Sequence, residues 1–393
     1  GQYSTGFCMF VRFCRYRAKK RDMREIAKNK ERGASVMKKL VALLLSVMMC
    51  FACVSALADT YVSWYTYGDV YLSSVRSEME ADFAKLNLTI NGSDANGNQQ
   101  VQSDFISTAL MNNDCEAIVV NLVESGAIST AQTIMNQIQA AGIPTVWFNR
   151  PVSTSNEEAA NLFLNNPASA FVGTNFEDAG RMQGELIGQY LVEHYNDIDL
   201  NGDGKISYIM FKGDEANQEA IARTALAVEY ANKALVAAGK PEIEFYDASN
   251  ANKYLVDPNG SWSNVFSSEQ MQTVLSMYNE GNGNMVELVI CNNDDMAYGA
   301  VMALQNAGYN HGEGTTAIPV FGVDATDVAK DLINNGYMVG TIKQDNVGMA
   351  DAVATITANL IAGKENKFEG LNENYVIVDN WFVQIPYAVY TGE

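Results

Sequence analysis

Apolar positions along the chain alternate between two rhythms, short dense runs that suit buried strands and longer stretches with a helical repeat. Residues 61–67 read as a strand, 70–86 as an amphipathic helix, 115–121 as a buried strand, 128–140 as a helix closed by Ala141-Gly142, and 143–148 as a strand again. A second series begins at Ala170. It holds strands near 207–212, 242–246, 286–291 and 318–323, and helices at 175–195, 219–238, 267–278 and 294–307. Repeated βαβ units bury a parallel sheet between helices, so two such series predict an α/β protein with two Rossmann-like, doubly wound lobes. Residues 250–261, rich in Asn, Pro and Gly, read as a surface loop insertion.

Upstream of this pattern the chain changes character. The apolar run 40–58 follows Met37-Lys38-Lys39 and ends in Ala56-Leu57-Ala58 just before Asp59, the form of a secretory signal peptide. It is short for a membrane-spanning helix, and no second apolar stretch of that length follows. Residues 1–36 are basic and patternless and precede the expected initiator Met37. Cys53 offers an alternative, lipid-modified N-terminus. Without residues 1–58 the chain keeps 14 of its 26 basic residues and 43 of its 46 acidic ones, a net charge near −29. Such a surface repels nucleic acid and anionic membranes and is compatible with cations and neutral ligands. Of six cysteines only Cys115 and Cys291 remain, each inside an apolar strand pattern, where they read as buried small hydrophobes rather than a bridge or a metal pair.

Candidate chemistry falls in two places. Residues 199–207 place Asp199, Asn201, Asp203 and Ser207 at alternate positions with Gly204 among them, the pattern of the first nine positions of an EF-hand calcium loop. Position twelve is Met210 inside an apolar run, so a calcium site here needs a carboxylate from elsewhere in the fold; a polar turn without metal is the other reading. The second place is the set of strand ends, where ligands sit in open α/β sheets. Asp69, Asn149, Asn292-Asn293-Asp294 and Asp324 follow strands, and Tyr65, Tyr67, Tyr71, Trp147 and Trp262 lie nearby. Helix capping accounts for any one of these amides or carboxylates. Together with the aromatic residues, the set matches what a neutral sugar requires: polar groups for its hydroxyls and aromatic faces for its C–H surfaces.

With these motifs in order, the chain resembles the periplasmic galactose/glucose-binding proteins from about Asp59 onward. The resemblance rests on the loop 199–207, the stretch 286–300, residues 318–324, Val172-Gly173-Thr174, and residues 143–149 ending in Trp147-Phe148-Asn149. It implies a type I periplasmic binding protein fold with a three-segment hinge: one lobe from 59–173 and 345–379, the other from 174–344 and 380–393. The sugar site it implies has Asp69 as acceptor, Tyr71 and Trp262 as stacking faces, Asn149 in the first lobe, and Asn217, Glu219, Arg223, Asn293, Asp324 and Gln344 in the second. Asn217, Glu219 and Gln344 stand where the family has His, Asp and Asn, which bears on which sugar fits. The implied structural calcium site comprises the side chains of Asp199, Asn201 and Asp203, the Lys205 carbonyl, Ser207 where Gln is usual, and Glu287.

The function so implied is capture of a monosaccharide, D-galactose or D-glucose, by hinge closure and delivery to an ABC permease. Alternatives are a receptor for a ribose-like pentose, or a sugar sensor read by a chemoreceptor; in each case the chain is expected to be a monomer. An enzyme reading would draw a carboxylate pair for glycoside hydrolysis from among Asp69, Glu219 and Asp324. Against it, the chain shows no nucleophile and base together, His194 and His311 fall away from the strand ends, and no phosphate-binding glycine loop occurs. No catalytic residue is expected.

Overall fold

The computed structural model describes residues 58–392. The expected signal peptide, Met37 and Cys53 lie outside the described residues. In chain order the strands are β1 (Ala58–Trp64), β2 (Leu88–Asp94), β3 (Cys115–Val120), β4 (Thr145–Phe148), β5 (Ser169–Gly173), β6 (Ser207–Lys212) and β7 (Glu244–Phe245). They continue as β8 (Leu255–Val256), β9 (Leu288–Cys291), β10 (Val320–Asp324), β11 (Gly340–Lys343), β12 (Val376–Val378), β13 (Phe382–Gln384) and β14 (Ala388–Tyr390). Two sheets result, ordered β12-β13-β5-β4-β3-β1-β2 and β14-β11-β10-β9-β6-β7, with β8 added beside β6. All pairings are parallel except β12 with β13 and β14 with β11, at one edge of each sheet. This is the expected pair of doubly wound lobes.

Parallel strands covered on both faces read as continuous apolar runs, because successive residues point to opposite sides and both sides are buried. Along the first sheet, Trp64, Phe148 and Val172 pack beneath helices Val70–Lys85 and Asn346–Ile361. Their neighbours Tyr61, Trp147 and Phe171 pack on the other face, beneath Gln99–Leu110, Ile128–Ala140 and Asn156–Leu164. The second sheet repeats the scheme. Phe211, Val289 and Cys291 face helices Asn264–Met277 and Asp294–Asn306, whereas Met210, Leu288 and Ile290 face Phe176–Ile198 and Gln218–Ala237. Cys115 and Cys291 are free and buried in these layers, as expected of small hydrophobes.

One close helix contact positions the site. A Cβ on Gly180 would lie 2.6 Å from the Ala222 carbonyl oxygen, and one on Gly184 2.6 Å from that of Ala227. The missing side chains let helix Phe176–Ile198 press against Gln218–Ala237, whose first turns carry Glu219 and Arg223.

The chain passes between the sheets three times: after β5, after β11, and between β13 and β14. The last passage corrects the sequence-based boundary at 380. Residues Phe382–Gln384 pair with Phe171–Gly173 of the first sheet, and the Trp381 ring stacks on Phe163 at 5.2 Å and 12°, so the change of lobe follows Gln384. The 250–261 segment also differs from the expected surface loop. Leu255 and Val256 pair with Phe211 and Lys212, and the buried Asp257 carboxylate accepts hydrogen bonds from Asn259 N, Ser261 Oγ and Ser263 N. These bonds give a polar segment the internal order a core would otherwise supply.

Candidate functional site

Strand ends β1, β4, β6, β9, β10 and β11 converge where the two lobes face each other. A cavity of about 340 Å³ there is lined by Asp69, Tyr71, Asn149, Arg150, Asn217, Glu219, Arg223, Trp262, Asn293, Asp324 and Gln344. The structure therefore gathers all ten residues named from sequence and adds Arg150.

Capping and lining prove compatible. Asp69 Oδ1 accepts from Leu72 N at 2.8 Å, Asn217 Oδ1 from Ala220 N at 3.1 Å, and Asn293 Oδ1 from Met296 N at 3.0 Å, each closing the first turn of a helix. The cap fixes the side chain against one helix end while its residue walls the cavity. Three lining residues, Asn149, Trp262 and Asp324, hold left-handed φ values of +62°, +55° and +126°. Such backbone costs energy in residues other than glycine and is concentrated at sites where geometry is imposed by surroundings.

Arg223 is the polar centre. Only 2% exposed, it donates to Asn292 O at 2.9 Å, Gln344 Oε1 at 3.0 Å and Tyr387 Oη at 3.1 Å. Its guanidinium is 3.5 Å from Glu219 and 4.0 Å from Asp324. Burial opposes its charge, but Tyr387, Glu219 and Asp324 more than offset this and hold its pKa above the ordinary guanidinium value. Burial pushes the Asp324 carboxyl well above the usual range against the pull of Arg223, with Asp294, Asp69 and Glu219 adding to the rise. Asp69 is raised by burial too, opposed by the Leu72 amide and Arg150. Tyr71 Oη, Arg223 Nε and Gln344 Nε2 are buried on lining residues without a protein hydrogen-bond partner. Buried polar groups are seldom left so, and donors without partners beside a cavity call for a ligand bearing acceptors.

Arg150, missed from sequence, does two jobs. Nε and Nη2 donate to the carbonyls of Leu122 and Val123 at 2.7 and 3.0 Å, and the guanidinium lies 3.9 Å over the Tyr65 ring. It also stands 3.6 Å from Asp214 of the other lobe. Its only sequence signal was position, directly after Asn149 at a strand end. Tyr65 Oη donates to Gly260 O at 2.7 Å and Asn217 Nδ2 to Ser125 Oγ at 3.2 Å, so the lobes are latched together across the cleft mouth. Burial pushes the Tyr65 phenol up to about 12. Of the other aromatic candidates, Trp147 belongs elsewhere: it is fully buried against Phe163, because alternation turns it to the opposite sheet face from Phe148. Tyr67 stacks under Arg76 at 3.8 Å, outside the cavity lining. Asn292 and Asp294 are internal braces, bonded to Gly213 N and to Thr341 Oγ1.

The 199–207 loop curls on itself. Asp199 accepts from Asp203 N and Gly204 N at 3.1 and 2.9 Å, Asn201 Oδ1 from Asp203 N at 2.9 Å, and Asp203 Oδ1 from Lys205 N at 2.9 Å. Glu287, 1% exposed, accepts from Leu200 N, Asn201 N and Ser207 N at 2.8, 3.2 and 3.0 Å, tying the loop to the approach to β9. Ser207 Oγ donates to Met285 O. Among the described residues, no three His, Cys, Asp or Glu side chains converge as a metal cluster. Three of the oxygen donors proposed from sequence, the Asn201 amide, the Lys205 carbonyl and the Ser207 hydroxyl, are neutral.

Two α/β lobes closing on a polar, aromatic-walled cavity define a two-lobed ligand-binding protein. More particularly, the chain belongs to the periplasmic binding protein family, whose domain model matches residues 60–365. It is 30% identical over 306 residues to the D-galactose/methyl-galactoside binding periplasmic protein MglB of Haemophilus influenzae, covering 77% of this chain and 81% of that protein. An ABC transporter solute-binding protein of Clostridium phytofermentans with bound β-D-glucose superposes with a TM-score of 0.64 at 17% identity, over 85% of this chain and 94% of that one. A solute-binding protein of Bacillus halodurans with bound myo-inositol gives 0.62 at 21% identity, over 86% and 95%. At such identities the structural likeness speaks for the fold. These relatives are binding proteins, in agreement with the expectation that the chain is not an enzyme. No helix among the described residues is long and apolar enough to cross a membrane.

Proposed function

We propose that the protein is an extracytoplasmic sugar receptor that captures D-galactose or D-glucose between its lobes and hands it to an ABC permease, acting as a monomer. The observation that carries the reading is the set of buried, unpartnered donors on Tyr71, Arg223 and Gln344, residues that line a cavity whose walls come from both lobes. A neutral polyol supplies acceptors to these donors and hydroxyl donors to Asp69, Glu219 and Asp324, while Tyr71 and Trp262 offer aromatic faces. Contacts from both lobes favour the closed form, and Tyr65 and Arg150 latch it; closure is what a membrane partner would read. The galactose-binding relative supports the hexose choice. Glu219 and Gln344 each extend one methylene further than the family's usual residues, which favours a smaller sugar such as a pentose as the second reading.

The donor set of the 199–207 loop fits calcium: Asp199, Asn201, Asp203, the Lys205 carbonyl, Ser207 and Glu287 would hold it. Gly202 and Gly204, at φ +69° and +82°, provide the turn such a loop needs. Bound calcium would offset the like charges of Asp199, Asp203 and Glu287.

The test is thermal melting of residues 59–393 with galactose, glucose and ribose, each in calcium and in chelator. A ligand specific to the folded state raises the midpoint, by about 2.7 kcal/mol of stability at a hundredfold excess over Kd. A rise with galactose or glucose supports the hexose reading, a rise with ribose alone supports the pentose, and no rise with any sugar overturns both. A rise with calcium that the chelator reverses supports the metal site.

A further inference from the structure

A second pocket, partly open to solvent, adjoins the polar one on its hinge side, and Asn149 and Glu219 line both. Its other walls are mostly apolar, with Pro151, Val152, Phe171, Phe176, Trp381 and Phe382 prominent and Ser153, Asn156 and Thr174 as the polar members. The rings are held rigidly, with Trp381 stacked on Phe163 at 5.2 Å and Phe382 set edge-on to Phe171 at 5.3 Å and 60°. Within this apolar wall Trp381 Nε1 is buried without a protein partner. The partition between the cavities is pinned, since Thr174 Oγ1 donates to Glu219 Oε1 at 3.0 Å and the backbone of Asn149 is held at φ +62°.

Resting on the sugar reading above, we propose that this cavity is a subsite for an aromatic aglycone, so that the protein takes glycosides whose sugar ring occupies the polar cavity and whose aromatic substituent passes between Asn149 and Glu219 into the aromatic chamber. A free monosaccharide has no group that benefits from such a wall, because its hydroxyls would be buried there without partners. A phenyl group has the opposite balance: its area leaves water against Phe171, Phe176 and Trp381, and its glycosidic oxygen can accept from a nearby donor. The shared residues then acquire a specificity role, as Glu219 is both a hydroxyl acceptor and the gatepost of the chamber.

Calorimetric titration of the full chain tests this with free galactose and glucose and with the methyl and phenyl glycosides of each, in both anomeric forms. At least one phenyl glycoside is expected to bind about tenfold tighter than its methyl counterpart, the gain of burying roughly half a ring's surface. Ala159 lines the chamber but not the polar cavity, so Ala159→Phe should fill the space and abolish the phenyl advantage while free-sugar affinity stays within about twofold. Ala159→Leu, a smaller intrusion, serves if the phenylalanine variant does not fold. Free sugar bound without any phenyl advantage, or an advantage that survives in the filled variant, overturns the subsite alone. No binding of any free sugar or glycoside overturns the sugar reading and the subsite with it.

Discussion

Removing the positive charge of Arg223 probes the site's electrostatic design. In Arg223→Met the volume and much of the packing remain, but Glu219 at 3.5 Å and Asp324 at 4.0 Å lose their counter-charge, and Asn292 O, Gln344 Oε1 and Tyr387 Oη lose a donor. Breaking a buried pair by deleting one partner costs about 3–5 kcal/mol, since the remaining charge stays buried. Spread over a body of this size, that is a drop in the melting midpoint of about 4–7 °C. The pH dependence gives a sharper check. Asp324 is already raised by burial despite Arg223, so in the variant its folded-state pKa moves further above the unfolded value. A group raised in the folded state stabilises below its unfolded pKa, and that stabilisation is lost as pH rises through the folded pKa. The variant's deficit should therefore be largest at alkaline pH and shrink on acidification towards pH 5. Melting curves of both proteins between pH 5 and 9, without sugar, measure it. A deficit below about 1 kcal/mol, or one that grows on acidification, would refute the account of Arg223 as the site's charge-balancing centre.

Three other outcomes follow from the geometry. A Cβ on Gly213 would lie 2.1 Å from the Trp262 ring, so Gly213→Ala should displace that ring at a cost of about 1–3 kcal/mol and weaken sugar binding measurably by titration. Glu287→Ala strips the acceptor from the amides of Leu200, Asn201 and Ser207 and should cost about 2–4 kcal/mol in chemical denaturation, while abolishing any calcium-dependent rise in the melting midpoint. Tyr65→Phe removes the bond to Gly260 O across the cleft; sugar affinity should fall about fivefold, read by calorimetry, with little change in the sugar-free melting midpoint.

The lobes were legible where packing imposes a period. Helix Ile128–Ala140 and strand Ser207–Lys212 carry unbroken patterns because each is buried along a whole face or on both faces. Strand β2 was not legible: its sequence from Leu88 to Asp94 contains Asn, Gly, Ser and Asp, and it sits at a sheet edge with only one neighbour, so burial leaves little periodic imprint. Helix Gln99–Leu110 buries only Gln102, Ile106 and Ala109, too few to declare itself. The site residues stood out because strand ends in this architecture are few and their amides and carboxylates dense. Arg150 escaped because a single arginine reads as surface charge until Tyr65 and Asp214 are seen around it. Trp147 was drawn toward the site by its place in the chain, whereas the orientation of a strand residue depends on parity, and Asn149 two positions on leaves the strand through a left-handed turn. The true passage after Gln384 was hidden because it depends on pairing between Phe382–Gln384 and a strand two hundred residues earlier, which no local pattern reports.

The central claim is that a sugar closes two lobes that otherwise open about the three crossings. Small-angle scattering of residues 59–393, with and without a saturating amount of the sugar that raises the melting midpoint, tests it most directly. The account predicts a smaller radius of gyration with sugar, and a reduced difference in Tyr65→Phe at sub-saturating concentration. An unchanged radius at full saturation would contradict it.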